Sequence, residues 1–416
     1  MSSRAMTAFQ LEVKAAGPRK RRPGRRHRLE VYINKIFLQA MAPQLRIGVL
    51  GAAGIARKNV RAIGIASDAL SVVAVGSRSL DKAKTFITNN GLEGKAHAYG
   101  SYQEVLDCPD VDAVYIPLPT SMHVEWVQKA AAARKHVLLE KPIAMNAADM
   151  EAIVSSMQQA GLVLMDGTMW SHNPRAREMA KALADLGPCH DVKAVFTMRG
   201  HAEFMAHNIR TKPDLDGLGS LGDLGWYCVR ASLWAFDFEF PHEVVAHAGF
   251  VLNDNGVVMD GGATLLFGPA KGTGQPRHSN IFFSFQQAMC QDLMVTGPKG
   301  TLRLDDFVIP HNEKQSAWTV TDVDGFGLTE LADGTTVKTM PNKVDLTEPQ
   351  EVLMWRDFAA CVRAGAAAQQ EVRPPTLTNG SSDASSAWWV KVAQDTQRVV
   401  HAIAESMKQG CKPVRL

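Results

Sequence analysis

From Leu45 onward, short unbroken apolar runs alternate with stretches in which apolar residues recur every three or four positions. "LRIGVL" predicts a strand over 45–50, and "GIARKNVRAIG" a helix from about Ile55. "LSVVAVGSRS" predicts a second strand, and "SLDKAKTFITNNG" a helix that closes on Gly91. "SYQEVLD" predicts a short helix, followed by a turn at Pro109-Asp110 and a strand over 111–116. "SMHVEWVQKAAAARK" reads as a helix and "HVLLE" as a strand. "NAADMEAIVSSMQQAG" reads as a helix capped by Asn146 and stopped by Gly161. "LVLMDG" is a further strand. Buried strands alternating with amphipathic helices predict a doubly wound α/β domain, a parallel sheet with helices on both faces.

The pattern changes near residue 170. "DVKAVFTMRG", "PHEVVAHAGFVLN", "VVMDGGATLLF", "IFFSFQQA" and "DLMVTGPKGTLRLDD" predict longer strands. The connections "NDNG" and "GPKG" are of hairpin length, so this second sheet is expected to be large and mostly antiparallel. "GPAKGTGQPRHSN" predicts a long exposed hairpin loop. Helices return at "EPQEVLMWRDFAACVRAG" and "SSAWWVKVAQDTQRVVHAIAESMKQG". The expected organisation is a disordered basic extension over 1–44, a nucleotide-binding domain over 45–168, and a substrate and dimerisation domain over 169–416.

Composition changes this picture little. At 416 residues, with 46% hydrophobic and 21% charged positions, the chain fits an ordinary two-domain globular protein. A net charge of +3 and the lack of a membrane-length apolar run argue against nucleic acid or a membrane as partner. The scattered Cys108, Cys189, Cys228, Cys290, Cys361 and Cys411 form no CxxC pair, which points to reduced thiols in an intracellular protein. The positive charge is local: Lys14, Arg19, Lys20, Arg21, Arg22, Arg25, Arg26 and Arg28 occur without an intervening acid, among prolines and glycines. Three readings stay open. The stretch is a chloroplast or mitochondrial transit peptide, a tail for polyanions, or a plain extension ahead of Met41 in a cytoplasmic protein.

Chemistry enters at the strand ends, where a doubly wound sheet binds its ligands. Gly51, Ala53, Gly54, Ile55 and Ala56 form the first strand-to-helix turn, whose backbone N–H groups can meet a pyrophosphate. Alanine replaces the second and third glycines of the usual fingerprint, so the position in the βα pattern carries the signal. The second strand ends in Ser77 and Arg78 where an NAD-preferring site would carry an acid, which predicts NADP(H). Pro117, Pro119, Thr120 and His123 end the "VYIPLPTSMH" strand beside the expected cofactor. Glu140, Lys141 and Pro142 end "HVLLEKP", where a lysine faces the crevice by topology alone. The "GSLGDLGWYCVRASLWAF" stretch reads as one helix with Asp223, Tyr227 and Arg230 on one face. His201 and His207 lack the HExxH spacing, so a mobile substrate loop is expected there and no metal.

The glycine turn, the "EKP" after a later strand and the sheet-rich second half together resemble the glucose-fructose oxidoreductase/inositol dehydrogenase/MocA (Gfo/Idh/MocA) family over roughly residues 45 to 410. "DLGWYCV" is similar to the dimeric dihydrodiol dehydrogenase and D-xylose dehydrogenase branch, and "DGTMWSHNPRA" looks like plant-type oxidoreductases of unknown substrate. The resemblance implies an NADP(H)-dependent dehydrogenase acting on a sugar or cyclic trans-diol, working as a homodimer or larger assembly through the second sheet. It implies that Lys141 is the reacting-centre lysine, with a cis bond before Pro142. Tyr227 would be the acid/base, its pKa lowered by Lys141, and Asp223 would position the site or the substrate hydroxyls. Trp170 and His172 would face the substrate, although Trp170 also reads as plain core. A non-catalytic NADP-binding regulator and an NAD-assisted, redox-neutral glycoside cleavage remain as other readings. Glu140 is counted with Lys141 among the cofactor contacts and reads as a hydrogen-bonding brace for the turn.

Overall fold

The computed structural model describes residues 43–270, 272–322, 338–365 and 385–416; the basic stretch from Lys14 to Arg28 lies outside them. The first sheet is built from β1 (Leu45–Leu50), β2 (Leu70–Gly76), β3 (His97–Tyr99), β4 (Ala113–Ile116), β5 (His136–Leu139) and β6 (Leu164–Asp166). Its order is β3-β2-β1-β4-β5-β6, with every pair parallel. The intervening helices are α1 (Gly54–Ile65), α2 (Leu80–Asn89), α3 (Tyr102–Asp107), α4 (His123–Ala132) and α5 (Ala147–Gln159). Residues of β4 are wholly buried, as the unbroken apolar run requires of a strand covered on both faces. Two glycines set the closeness of the layers. A Cβ on Gly48 would stand 2.5 Å from Val105, and one on Gly76 2.8 Å from the Ser101 carbonyl. Asn146 caps α5 by accepting the Asp149 N–H, as its position before the helix predicts.

The second sheet follows α6 (Pro174–Leu186) and β7 (Asp191–Thr197). After two short helical turns, Ala202–His207 and Pro213–Asp216, comes α7 (Trp226–Ala235). The remaining strands are β8 (Glu243–Ala246), β9 (Val251–Leu252), β10 (Val258–Phe267), β11 (Arg277–Ser284), β12 (Cys290–Gly297), β13 (Gly300–Leu304), β14 (Gln315–Asp322), β15 (Lys338–Asp345) and β16 (Val414–Arg415). Their order is β15-β14-β13-β12-β7-β11-β10-β8-β16, with β9 paired to β10. The hairpins are antiparallel as expected. The exception is β7 beside β11, which run parallel because a long crossover separates them. One face alternates Val192, Ala194, Phe196, Ile281, Phe283, Leu293 and Val295 into the core. The expected single helix over 219–236 is interrupted: Leu221–Gly225 is a π-helical turn that leads into α7.

The last two helices, α8 (Gln350–Ala364) and α9 (Ser386–Lys408), bind the sheets together. Trp355 and Phe358 of α8 share a buried cluster with Ile47, Val49 and Val60 of the first sheet layer. From the other side, Arg230 of α7 reaches Asp166 at the end of β6 at 3.0 Å, with both side chains at most 2% exposed. The same guanidinium donates to Thr396 of α9 at 2.7 Å. Thr168 donates to Asp166 and accepts from the Trp226 indole at 2.8 Å. Arg230 is therefore a structural tie, not part of an active face with Asp223 and Tyr227. Removing one partner leaves an uncompensated buried charge. Arg230→Ala should cost about 3–5 kcal/mol in urea unfolding, whereas the paired replacement Arg230→Met with Asp166→Leu should recover much of it.

Candidate active site

The carboxyl ends of β1, β2, β4 and β5 form one rim. Gly51 has φ 130° and donates its N–H to the Gly76 carbonyl at 2.9 Å. A side chain there would be strained and would stand 3.1 Å from Leu118. Ala53 precedes α1 without a side-chain cap, and the first turn carries no acid. The space beside the Gly54 Cα is open, and Gly54 and Ile55 are exposed while Ala56 is buried. Uncapped amides at a helix N-terminus whose first turn carries no acid suit a diphosphate. At the end of β2, Ser77 is buried and Arg78 exposed. The Arg78 guanidinium lies beside the Tyr102 phenol, whose pKa burial raises against the pull of that charge. These residues fit a dinucleotide with a 2′-phosphate.

The β4 end is more closed than expected. Pro117 is buried, Pro119 half-buried, and Thr120 gives both its N–H and its hydroxyl to Asp216 at 2.7 Å. His123 does not reach the crevice. It is 1% exposed, and its ring nitrogens lie 2.9 Å from the Leu118 carbonyl and 3.2 Å from the Ile143 carbonyl. It braces the β4 turn against the β5 turn, so it is not a cofactor contact.

The β5 end holds the reactive geometry. The Lys141–Pro142 bond is cis. Lys141 Nζ donates to the Asp223 carbonyl at 2.8 Å and to Asp223 Oδ1 at 2.6 Å. Arg210 Nε pairs with the other carboxylate oxygen at 2.9 Å. Burial alone would raise the Asp223 carboxyl, but Arg210 and Lys141 hold it well below the usual carboxylate range. Gly222 in the π turn leaves room for this fit, since a Cβ there would stand 3.2 Å from Pro142.

Tyr227 is brought to this cluster, but not as expected. Lys141 Nζ lies over its ring, 4.8 Å from the centroid, and its hydroxyl donates to Met169 Sδ at 3.3 Å. Burial pushes the phenol pKa well above its usual value, with Glu140 and Asp223 adding to the effect. The net shift is upward, opposite to the lowering expected from Lys141. Glu140 is also pushed up, by burial, although Tyr115 and Lys141 oppose the shift.

Trp170 and His172 do not face a substrate. Trp170 is 2% exposed and packs edge-on against Trp234 and Phe307. His172 is buried, with Nδ1 2.7 Å from Asp357 and its ring 4.2 Å from that of Trp389. The turn after β6 aims both side chains into the core, and Met169 of that turn is the residue that meets Tyr227. His201 caps the Ala202–His207 turn. Sequence reasoning missed Arg210 and Asp216, which lie in an irregular excursion with no motif, and Tyr115, which looks like an ordinary aromatic of a buried strand. No group of three metal-ligating side chains occurs among the described residues.

Comparison with known proteins follows the same lines. Residues 45–168 match the model of an oxidoreductase family with an NAD-binding Rossmann fold. The chain is 30% identical over 349 residues to a dTDP-3,4-didehydro-2,6-dideoxy-alpha-D-glucose 3-reductase of Streptomyces antibioticus, covering 82% of this chain and 94% of that one. It is 36% identical over 189 residues to a D-xylose 1-dehydrogenase (NADP(+)) of Haloferax volcanii, covering 45% and 56%. A tyrosine-to-phenylalanine variant of a 3-ketoreductase from Actinomadura kijaniata, solved with TDP-benzene and NADP, superposes with a TM-score of 0.65 at 26% identity, covering 87% and 98%. The same enzyme has been solved with a lysine replaced by glutamate.

The Asp223 clamp has a consequence for acid stability. Its folded pKa lies below the unfolded value of about 3.9, so its contribution is complete above that value and is lost as pH falls through the folded pKa. Asp223→Asn should lower stability at neutral pH. It should also flatten the loss of stability on the acid side, measured as urea midpoints from pH 7 downward.

Proposed function

This chain belongs to the Gfo/Idh/MocA oxidoreductase family, and from that premise we propose that it is an NADP(H)-dependent dehydrogenase. It moves a hydride between nicotinamide and a secondary alcohol carbon of a sugar or cyclic trans-diol. The observation that carries the reading is the meeting of Lys141 with Tyr227 at the carboxyl end of β5, under one strand-end rim with the β1–α1 turn.

The amides at Gly54 and Ile55 would hold the pyrophosphate, and Ser77 and Arg78 the 2′-phosphate. Bound NADP(H) supplies the hydride chemistry. Lys141 orients the substrate oxygen and stabilises negative charge on it. Asp223 touches Lys141 and not the reacting atoms, so it is a positioning residue. Tyr227 exchanges the proton at the substrate oxygen. Its raised pKa keeps the phenol protonated, which is the form carbonyl reduction needs: the carbonyl carbon gains a hydride, its oxygen gains the tyrosine proton, and an alcohol results. A tyrosine and a lysine are also the residues replaced in the two solved variants of the 3-ketoreductase.

The reading extends to assembly. The outer face of the second sheet carries Val195, Phe282, Met294 and Leu266, all half-buried, among Lys193, Asn280 and Thr264. A mixed apolar and polar face of this kind suits a second copy of the chain, giving a homodimer.

Lys141→Met should lower turnover by about a thousandfold or more while leaving NADPH affinity within about twofold, read by nicotinamide absorbance and fluorescence titration. Retained activity would remove the lysine from its role. Arg78→Ala should weaken NADPH binding by about ten- to a hundredfold and leave NADH binding unchanged. Tighter binding of NADH than NADPH by the unaltered chain would overturn the cofactor assignment. A sugar and diol panel with both redox states separates the alternatives. Tight binding without turnover marks a regulator, and product without net nicotinamide change marks a redox-neutral lyase.

A further inference from the structure

Beneath the Lys141 turn runs a chain of hydrogen bonds with a single direction. Trp355 Nε1 donates to Asn59 Oδ1 at 2.8 Å, Asn59 Nδ2 donates to the Tyr115 oxygen at 2.7 Å, and the Tyr115 hydroxyl donates to Glu140 Oε1 at 2.5 Å. Glu140 Oε2 accepts the Lys141 backbone N–H at 3.3 Å. Trp355 and Tyr115 are 0% exposed and Asn59 is 3% exposed. The Tyr115 ring also packs edge-on against Trp355, with centroids 5.7 Å apart.

The direction follows from the first donor. An indole N–H can only donate, so the Asn59 oxygen must face Trp355 and its NH2 group must face Tyr115. Tyr115 must then give its own proton to Glu140. Both Glu140 oxygens are thus acceptors, an arrangement that suits a carboxylate and not a carboxylic acid. The pocket is shaped to the group as well: a Cβ on Gly167 would stand 3.2 Å from the carboxylate. Burial raises the Glu140 pKa, while the Tyr115 hydrogen bond and the charges of Lys141 and Arg210 favour its ionisation; burial first, and its charge second, raise the facing phenols of Tyr115 and Tyr227. Four elements meet in this chain: α8, α1, β4 and the turn after β5. The first of the four lies in the second half of the sequence, and α1 begins at the turn fitted to the pyrophosphate.

We propose that Trp355, Asn59 and Tyr115 are positioning residues of the reaction, holding Glu140 as a carboxylate and so fixing the turn that presents Lys141 to the crevice. The inference rests on the reading of Lys141 as the reacting-centre lysine. It makes Glu140 a charged brace, set from the far side of the first sheet.

Tyr115→Phe tests it, because the ring stays and only the donor is lost. Turnover should fall about tenfold, the effect of one buried hydrogen bond to a charged group, with NADPH affinity within about twofold. The acid limb of the kcat profile should move to higher pH, since Glu140 loses a donor that stabilises its charged form. Glu140→Gln should lower turnover and remove that limb, and adding Tyr115→Phe to it should not alter the profile further. Asn59→Ser should move the limb in the same direction by a smaller amount, which keeps the test open if Tyr115→Phe folds poorly. An unshifted profile in both Tyr115→Phe and Asn59→Ser overturns the proposal, even if melting temperature drops. An active Lys141→Met defeats the underlying reading instead, so the two failures are distinguishable.

Discussion

Lys141 is held by a residue 82 positions away in sequence. Its turn belongs to the first sheet, yet its ammonium is bonded to the side chain and carbonyl of Asp223 in the second half of the chain. A lysine with a side-chain exposure of 7% requires such a partner. The surrounding peculiarities serve this contact. The π turn over Leu221–Gly225 brings Asp223 to the lysine, Gly222 makes room for Pro142, and Arg210 occupies the carboxylate oxygen that Lys141 leaves. The Arg230–Asp166 tie holds α7, which continues that turn, onto the end of β6.

Two carboxylates flank the lysine and are treated in opposite ways. Asp223 sits between two cations and stays ionised far into acid. For Glu140 burial wins over the Tyr115 hydrogen bond and the Lys141 charge, and its pKa is raised. Both negative charges push Tyr227 toward its protonated form. A tyrosine that stays neutral is ready to give a proton rather than to take one. Burial and the two fixed carboxylates thus act on Tyr227 in the same sense.

Local sequence signals reported the parts of this arrangement that are made locally. The β1–α1 turn, the Asn146 cap and the unbroken strands follow from apolar period and turn chemistry, and the lysine's place at a strand end follows from topology. What was illegible depends on the direction of side chains after an element ends. His123 and His172 looked like crevice residues because they follow strands of the sheet, but one points at two backbone carbonyls and the other at Asp357 and Trp389. The interruption at Leu221–Gly225 was hidden because apolar period alone does not separate a π turn from the α-helix it enters. Tyr115 was hidden for a different reason: its ring fills a core position as Phe would, and the role lies in one oxygen. Arg210 lies in a stretch with no period at all.

The clamp leaves a usable donor. A lysine ammonium carries three N–H groups, and Asp223 takes two of them. The third can meet a substrate oxygen without breaking either existing bond, so Lys141 need not abandon its buried partner to act. The same restraint keeps the ammonium over the Tyr227 ring, 4.8 Å from its centroid. Orientation is then fixed by the protein before binding, which is the condition under which positioning lowers a barrier most. The carboxylate of Asp223, already satisfied by two cations, has no remaining role as a base. The fixed aspartate serves to hold the lysine in place, as the positioning role proposed for it requires.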